Sequence, residues 1–306
     1  MKSDMELKLG KIPSQKGRIA IVTGANNGIG YEITVGLAKV GYKVILACRN
    51  IEKASSARNK IMQSIPEADL DILQLDLSDL YSVREFVNRY SESYQKLDVL
   101  VNNAGVMTYS EQKNAAGIEL QFATNHLGHF ALTSLLINHM PNDERSRIVS
   151  LSSVAHKSAT IHFDDIECKN AKGYGAAYGQ SKLACLMFGD ELNRRLNKSD
   201  CKIRSLSVHP GVSDTGLFDE MSWIQSFLFK VLGSFMTHSS DKAAVPALYA
   251  ALSSDVVGGD FYGPTGMGGL KGKLGVSKRS EYSKDMQVAE KLWDLSEELS
   301  GIEFTL

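Results

Sequence analysis

Tyr178 and Lys182 stand in Tyr178-Gly179-Gln180-Ser181-Lys182, a spacing that puts both on one face of a helix, a turn apart. A free tyrosine, with a pKa of about 10, is a poor acid–base group at neutral pH. A lysine ammonium beside it favours the phenolate, lowers that pKa and equips the pair to move a proton. Tyr-x-x-x-Lys arises by chance in any long chain, so its weight depends on its company. Ser152-Ser153 end the apolar run Arg147 to Leu151. A hydroxyl at a strand's carboxyl end can donate to a substrate carbonyl oxygen, although both serines also suit a plain turn. Asn102-Asn103-Ala104-Gly105 follows another apolar run and either lines the same edge or simply turns the chain.

A second chemistry is written near the start. Gly24-Ala25-Asn26-Asn27-Gly28-Ile29-Gly30 joins a β-branched run to an amphipathic one, where a pyrophosphate-binding turn belongs. Gly24 allows a tight exit from the strand, Gly28 lets the backbone approach phosphates, and Gly30 lets the helix pack close to the sheet. The helix start adds free N–H groups and a positive dipole end. The same pattern can also be a glycine-rich turn with no ligand. The next strand ends Ala47-Cys48-Arg49-Asn50, without an acidic residue at its tip. A carboxylate there accepts from a ribose 2′-hydroxyl, whereas a guanidinium meets a 2′-phosphate. Arg49 therefore favours NADP(H), while nearby Glu52 leaves NAD(H) open.

Alternating elements must position these groups. Strand-like runs are Arg18 to Thr23, Lys43 to Cys48, Leu70 to Leu75, Asp98 to Val101, Arg147 to Leu151 and Lys202 to Val208. Helical spacing appears around Ile29–Val40, from Ile51 to about Ser64, and around Leu80–Tyr90, then over Glu119 to His139 and Tyr178 to Leu196. The alternation predicts an α/β fold, a single-domain Rossmann-type doubly wound parallel sheet with helices on both faces. Residues 1–17 read as an N-terminal extension and 18–306 as one dinucleotide-binding catalytic domain. Ala155 to Gly173 reads as an insertion. The apolar stretch from about 212 to 240 reads as a substrate lid, a face buried on another subunit or a core helix. Lys271 to Arg279, interrupted by glycines, reads as a solvated loop.

The 306 residues carry a net charge of −1, and 43% are hydrophobic, which suits a full core and argues against nucleic acid as a partner. Cys48, Cys168, Cys185 and Cys201 form no C-x-x-C pair, and Cys48 and Cys185 read as small core residues. The polar N-terminus and the lack of a long apolar run predict a cytoplasmic protein with no integral membrane segment. No metal site is expected. His126 and His129 share a helix face without a third ligand and read as packed or capping residues, and His209 as ordering a loop before Pro210.

Together these residues resemble the short-chain dehydrogenase/reductase family. The matching pieces are Thr23–Gly30, Asp76, Asn102–Gly105, Asn125, Ser153, Tyr178–Lys182 and His209-Pro210-Gly211, in the family's order from about Arg18 to Gly269. The resemblance implies an oxidoreductase moving hydride between a nicotinamide and a carbonyl or alcohol carbon. Tyr178 would be the acid–base group, Lys182 would bind the nicotinamide ribose, and Ser153 would hold the carbonyl oxygen. Asn125 would hold a water in a proton relay. Asp76 would meet the adenine, with Leu77 beside it. Asn103, Ala104, Gly105, Pro210, Gly211 and Val212 would line the cofactor, and Thr215 would reach the nicotinamide amide. The two long helices would be faces for a homodimer or homotetramer, unless their apolar stripes are core.

A narrower likeness is to the retinol-dehydrogenase-like branch. It rests on Ala47–Asn50, Asn125–Phe130, Val154-Ala155-His156, Phe163–Ile166, Ser181–Ala184 and the 25-residue step from Ser153 to Tyr178. That branch implies a lipophilic carbonyl or alcohol substrate. Cys185 stands where the branch often has asparagine, so no retinoid is assigned. Two other readings share these residues. One is an NADP(H)-sensing binding protein without turnover, which would tend to lose the tyrosine or lysine. The other is a nucleotide-sugar epimerase-like enzyme, which would need more chain after Gly211.

Overall fold

The structure is a computed structural model that describes residues 5, 7–108, 111–170, 175–211 and 239–306. Val212, Thr215 and the apolar stretch as far as residue 238 lie outside the described residues.

β1 (Ile19–Thr23) leads through the glycine-rich turn into α1 (Gly28–Lys39), then β2 (Lys43–Cys48), α2 (Ile51–Ser64), β3 (Asp69–Gln74), α3 (Leu80–Ser93) and β4 (Val99–Asn102). After α4 (Gly128–Leu136) come β5 (Arg147–Leu151), α5 (Ala176–Lys198) and β6 (Arg204–Val208). Beyond the six strands legible in the sequence are α6 (Ser240–Leu252), β7 (Phe261–Gly266), β8 (Lys271–Val276) and α7 (Met286–Ser300). The sheet order is β3-β2-β1-β4-β5-β6-β7-β8, parallel from β3 to β7. The chain winds one way from β1 and the other way from β4. Their carboxyl ends therefore flank the switch point where such sheets bind ligands.

Strand residues alternate between two cores, as the pleat requires. Ala20, Val22, Val44, Leu46, Val99 and Val101 face α1, α2 and α6, against Ile33, Leu37, Ile61 and Leu248. Ile21, Ile45, Leu100 and Ile148 face α3, α4 and α5, against Phe86, Tyr90, Phe130 and Leu192. Each fully buried side chain of this size contributes roughly 1.5–3 kcal/mol, so the two-sided burial supplies most of what holds the sheet. Leu7, Leu9 and Ile12 of the N-terminal extension pack on the first core, and Gln15 N–H donates to Val40 O at 2.7 Å.

Two expectations need correction. Lys271–Val276 is not a solvated loop but β8, antiparallel to β7 with Tyr262 opposite Val276. Its lysines and glycines are the composition of an edge strand that resists further pairing. The helix expected over Glu119 to His139 is interrupted. A short turn, Leu120–Phe122, passes into a π turn, Ala123–Leu127, before α4, and a 3-10 turn, Ile137–His139, follows. The apolar stripes of α4 and α5, which the sequence left open between core and subunit face, take the core alternative where they meet α7. Phe130 and Phe188 meet Trp293 of α7 edge-on and stacked, with ring centroids 5.1 and 5.9 Å apart, and Phe304 beyond α7 packs on Phe130 at 5.6 Å.

Candidate active site

A cleft of about 880 Å³ opens at the carboxyl ends of the strands. Gly24, Asn26, Asn27, Gly28, Ile29 and Gly30 form one wall. Gly24 leaves β1 with φ +66°, a conformation that disfavours side chains, and its N–H donates to Ala47 O at 2.8 Å. A Cβ on Gly30 would sit 2.3 Å from Gly24 O and 2.5 Å from Asn103 Nδ2. Asn103 cannot move aside cheaply, because its Nδ2 donates to Thr23 O at 2.7 Å. Gly30→Ala is therefore expected to push the loop off α1 at a cost of about 1–3 kcal/mol. Nucleotide affinity should fall about 10- to 100-fold at that cost, measured by fluorescence titration; unchanged affinity would contradict the packing argument.

Arg49, Asp76 and Leu77 lie along the far end of the cleft. Arg49 is exposed, and its guanidinium makes no hydrogen bond or ion pair among the described residues. Asp76 is fixed by its neighbours: Ser78 donates from N and Oγ to its Oδ1 at 3.0 and 2.6 Å, and its N–H donates to Ser82 Oγ at 2.9 Å.

Asn103, Ala104 and Gly105 leave β4 at the middle of the cleft. Thr23 Oγ1 accepts the N–H groups of Asn103 and Ala104, both at 2.9 Å, so the two loops at the switch point are joined. A Cβ on Gly105 would lie 3.1 Å from Lys182 Nζ, so this backbone passes directly over the lysine.

Tyr178 and Lys182 project from the first turns of α5, and both line the cleft. Lys182 is buried, its Nζ donates to Leu151 O at 3.1 Å and lies 5.9 Å from the centroid of the Tyr178 ring. An ammonium has three donors, so one is spent on the strand end and, among the described residues, two remain. Ser152 is buried and donates from Oγ to Lys182 O at 2.7 Å, which ties β5 to α5. Ser153 is the accessible serine of the pair. It lines the cleft, and its Oγ accepts Ala155 N–H at 3.2 Å at the start of the 3-10 turn Val154–Ser158.

Asn125 lies one layer behind this wall, fully buried in the π turn. Its Oδ1 accepts Val106 N–H at 2.7 Å, and its Nδ2 donates to Val106 O at 3.0 Å and Ser181 Oγ at 2.9 Å. Its carbonyl oxygen accepts from His129 Nδ1 at 2.8 Å and from Cys185 Sγ at 3.1 Å. A relay water on that oxygen would have to displace the thiol, a weak donor. Pro210 and Gly211 close the cleft below, and His209 orders them. Its Nδ1 accepts Gly211 N–H at 3.3 Å, and its Nε2 meets Ser277 Oγ at 2.8 Å.

The cleft continues past Tyr178 along Met107, Thr108, Gln112, Leu120, Thr124, Val154, Ala155, Ser158 and Gly175, none of which the sequence assigned to the site. They come from the loop after β4, the helical turns Leu120–Phe122 and Ala123–Leu127, the 3-10 turn after β5 and the cap of α5, so no single spacing marks them together. The insertion beside them is clamped to α5: Gln180 Oε1 accepts His162 N–H at 2.8 Å, and its Nε2 donates to Ile166 O at 2.9 Å.

His126 packs between Phe122, Phe130 and Phe188, and its Nε2 meets Ser296 Oγ at 2.8 Å. Burial pushes His126 and His209 down to about 3 and His129 to about 4. An unfolded histidine titrates near 6.5. Between the native values and 6.5 the unfolded chain therefore binds more protons, and stability must fall as pH drops through 6.5. Each histidine contributes roughly 1.4 kcal/mol per pH unit. Asp190 acts oppositely. Burial raises it to about 6 despite its ion pair with Arg279, so below pH 6 it returns part of one histidine's loss. The urea midpoint is expected to fall steeply between pH 7 and 5; a flat or rising midpoint would contradict these assignments.

Comparison with known proteins extends these observations. A family profile described as "short chain dehydrogenase" matches residues 18–223. Human retinol dehydrogenase 13 is 38% identical over 294 residues, covering 94% of this chain and 86% of its own. The chloroplastic short-chain dehydrogenase TIC 32 B of Brassica napus is 38% identical over 289 residues, covering 90% and 87%. Among solved structures, an uncharacterized protein from Mycobacterium paratuberculosis superposes with a TM-score of 0.81 at 36% identity, covering 99% of this chain and all of that one.

Proposed function

Since the chain belongs to the short-chain dehydrogenase/reductase family, in its retinol-dehydrogenase-like branch, and is thereby an oxidoreductase of CH–OH and C=O groups, we propose that it uses NADP(H) on an apolar small molecule with Tyr178 as the acid–base group. The observation that carries this reading is the convergence of Tyr178, Lys182, Ser153 and the glycine-rich wall on one cleft at the switch point. The cleft suits a dinucleotide on its own geometry. Gly24, Gly30 and Gly105 leave a surface that added Cβ atoms would fill or distort, and Arg49 offers at the far end a cation uncommitted among the described residues.

In this reading residues 24–30 cradle the pyrophosphate, with Asn26 and Asn27 at the start of α1, and Arg49 meets the 2′-phosphate. Asp76 and Leu77 border the adenine. Asn103, Ala104, Gly105, Pro210 and Gly211 line the nicotinamide half. Val212 and Thr215 are assigned there by resemblance alone. The nicotinamide, when bound, supplies or takes the hydride. Ser153 donates to the substrate oxygen while Tyr178 gives that oxygen its proton in reduction and removes it in oxidation. The two free N–H donors of Lys182 hold the ribose hydroxyls, and its charge stabilises the phenolate left after proton transfer. The single-domain span 18–306 belongs to the same reading.

The substrate is a lipophilic carbonyl compound or alcohol. Met107, Leu120, Val154 and Ala155 border the cleft beyond Tyr178, and a relative is named for retinol, a lipophilic alcohol. The test is a panel of aldehydes and ketones graded by chain length with NADPH. kcat/KM should rise with apolar surface, and a preference for small polar carbonyls would reject the substrate class.

A further inference from the structure

His129 is outside the machinery assigned above, yet it lies between the nucleotide loop and the Asn125 turn. It is 3% exposed, in the first turn of α4. The π turn before it explains its contacts. Gly128 N–H donates to Ala123 O, five residues back rather than four. The Asn125 carbonyl instead takes the His129 ring, Nδ1 to O at 2.8 Å, and the Cys185 thiol.

The remaining directions follow from valence. A carbonyl oxygen only accepts, so Nδ1 carries the proton. Burial keeps the ring neutral at physiological pH. Nε2 is then an acceptor, and its partner 2.9 Å away is the Thr23 hydroxyl, which must donate. A competing acceptor, Val101 O, is farther off at 3.4 Å. Having donated, Thr23 Oγ1 keeps two lone pairs, which take Asn103 N–H and Ala104 N–H at 2.9 Å each. The result is one continuous, unidirectional chain. It runs from the Asn103–Ala104 backbone to Thr23 at the root of the glycine-rich turn, through His129, to the Asn125 turn that holds Val106.

We propose that His129 is a positioning residue that couples the nucleotide-binding loops to the Asn125 turn through its two ring nitrogens. The proposal rests on the function argued above for what the two ends do, but the coupling itself is a property of binding and geometry. Each ring nitrogen serves one end, so the ends can be separated. An asparagine at this position reaches as far as Nδ1 and keeps the bond to Asn125 O while losing Thr23. A glutamine reaches as far as Nε2 and keeps Thr23 while losing Asn125 O.

The experiment measures NADPH Kd by fluorescence and kcat at saturating NADPH for wild type, His129→Asn and His129→Gln. His129→Asn is expected to weaken NADPH binding about tenfold with kcat nearly retained, the equivalent of one lost hydrogen bond of about 1.4 kcal/mol. His129→Gln is expected to do the reverse, keeping Kd and losing about tenfold in kcat. Equal losses in both variants, or no loss in either, would overturn the coupling, since a merely structural residue gives no split. Where a variant does not fold, nitrogen NMR of wild type decides. A protonated Nδ1 and a bare Nε2 at pH 7, shifting on NADPH addition, support the chain, whereas a protonated Nε2 overturns it. If NADPH binds and the split in Kd appears but no carbonyl compound turns over, the proposed function fails and the coupling stands.

Discussion

Tyr178→Phe is expected to lower kcat about 10²- to 10⁴-fold, the range that a positioned acid–base group supplies, while leaving NADPH affinity nearly unchanged. The phenyl ring keeps the volume and the packing against Lys182, whose Nζ lies 5.9 Å from the ring centroid. Only the hydroxyl is removed, the group to which the proposed function assigns the proton exchange with the substrate oxygen. The two effects should therefore separate in single-turnover kinetics with NADPH prebound: binding amplitude intact, chemical step slow. Turnover retained within a few fold would remove Tyr178 from the chemistry. Loss of NADPH binding would instead mean that the hydroxyl is part of the nucleotide site.

The second large effect is expected at Arg49. It is exposed at the end of β2, lines the cleft and has no protein partner for its guanidinium among the described residues. A charge-assisted hydrogen bond contributes about 1.5–3 kcal/mol, and a bidentate contact to phosphate forms two. Arg49→Glu replaces that attraction with repulsion, so NADPH affinity should fall at least about 100-fold. NADH should bind as well or better, because a carboxylate there accepts from the ribose hydroxyl. Parallel titrations of both nucleotides in wild type and variant read the outcome. Equal affinities for NADPH and NADH in wild type would remove the 2′-phosphate role from Arg49.

The sequence carried the first six strands because each is an apolar run between a turn and a helix. β2 (Lys43–Cys48) and β5 (Arg147–Leu151) have the same bounds in sequence and structure. It carried the glycine-rich turn because the glycines answer a steric demand visible in residue type alone: at Gly30 there is no room for a Cβ. β8 was illegible, because an edge strand rich in lysine and glycine has the composition of a loop. The π turn was illegible for a different reason. Inserting one residue into a helix shifts the hydrogen-bond register without changing residue types, so the apolar pattern over Glu119 to His139 still reads as one helix. That shift is what brings the Asn125 carbonyl to His129 and Cys185, and spacing alone gave the histidine no more than a packed or capping role. The α4 and α5 stripes were ambiguous until α7 was in place, because a helix face reads equally well as core or as interface. Trp293 and Phe304 resolve these as core.

The measurement closest to the central claim is label transfer. Wild-type protein is mixed with NADPH carrying deuterium at the transferable C4 position and with a long-chain aldehyde or ketone, and the product is examined by mass spectrometry. The expected product is the alcohol with one deuterium on the former carbonyl carbon, formed by wild type and nearly absent with Tyr178→Phe. An unlabelled alcohol, or NADPH bound tightly with no label transferred to any compound of the panel, would contradict the assignment of this cleft to hydride transfer.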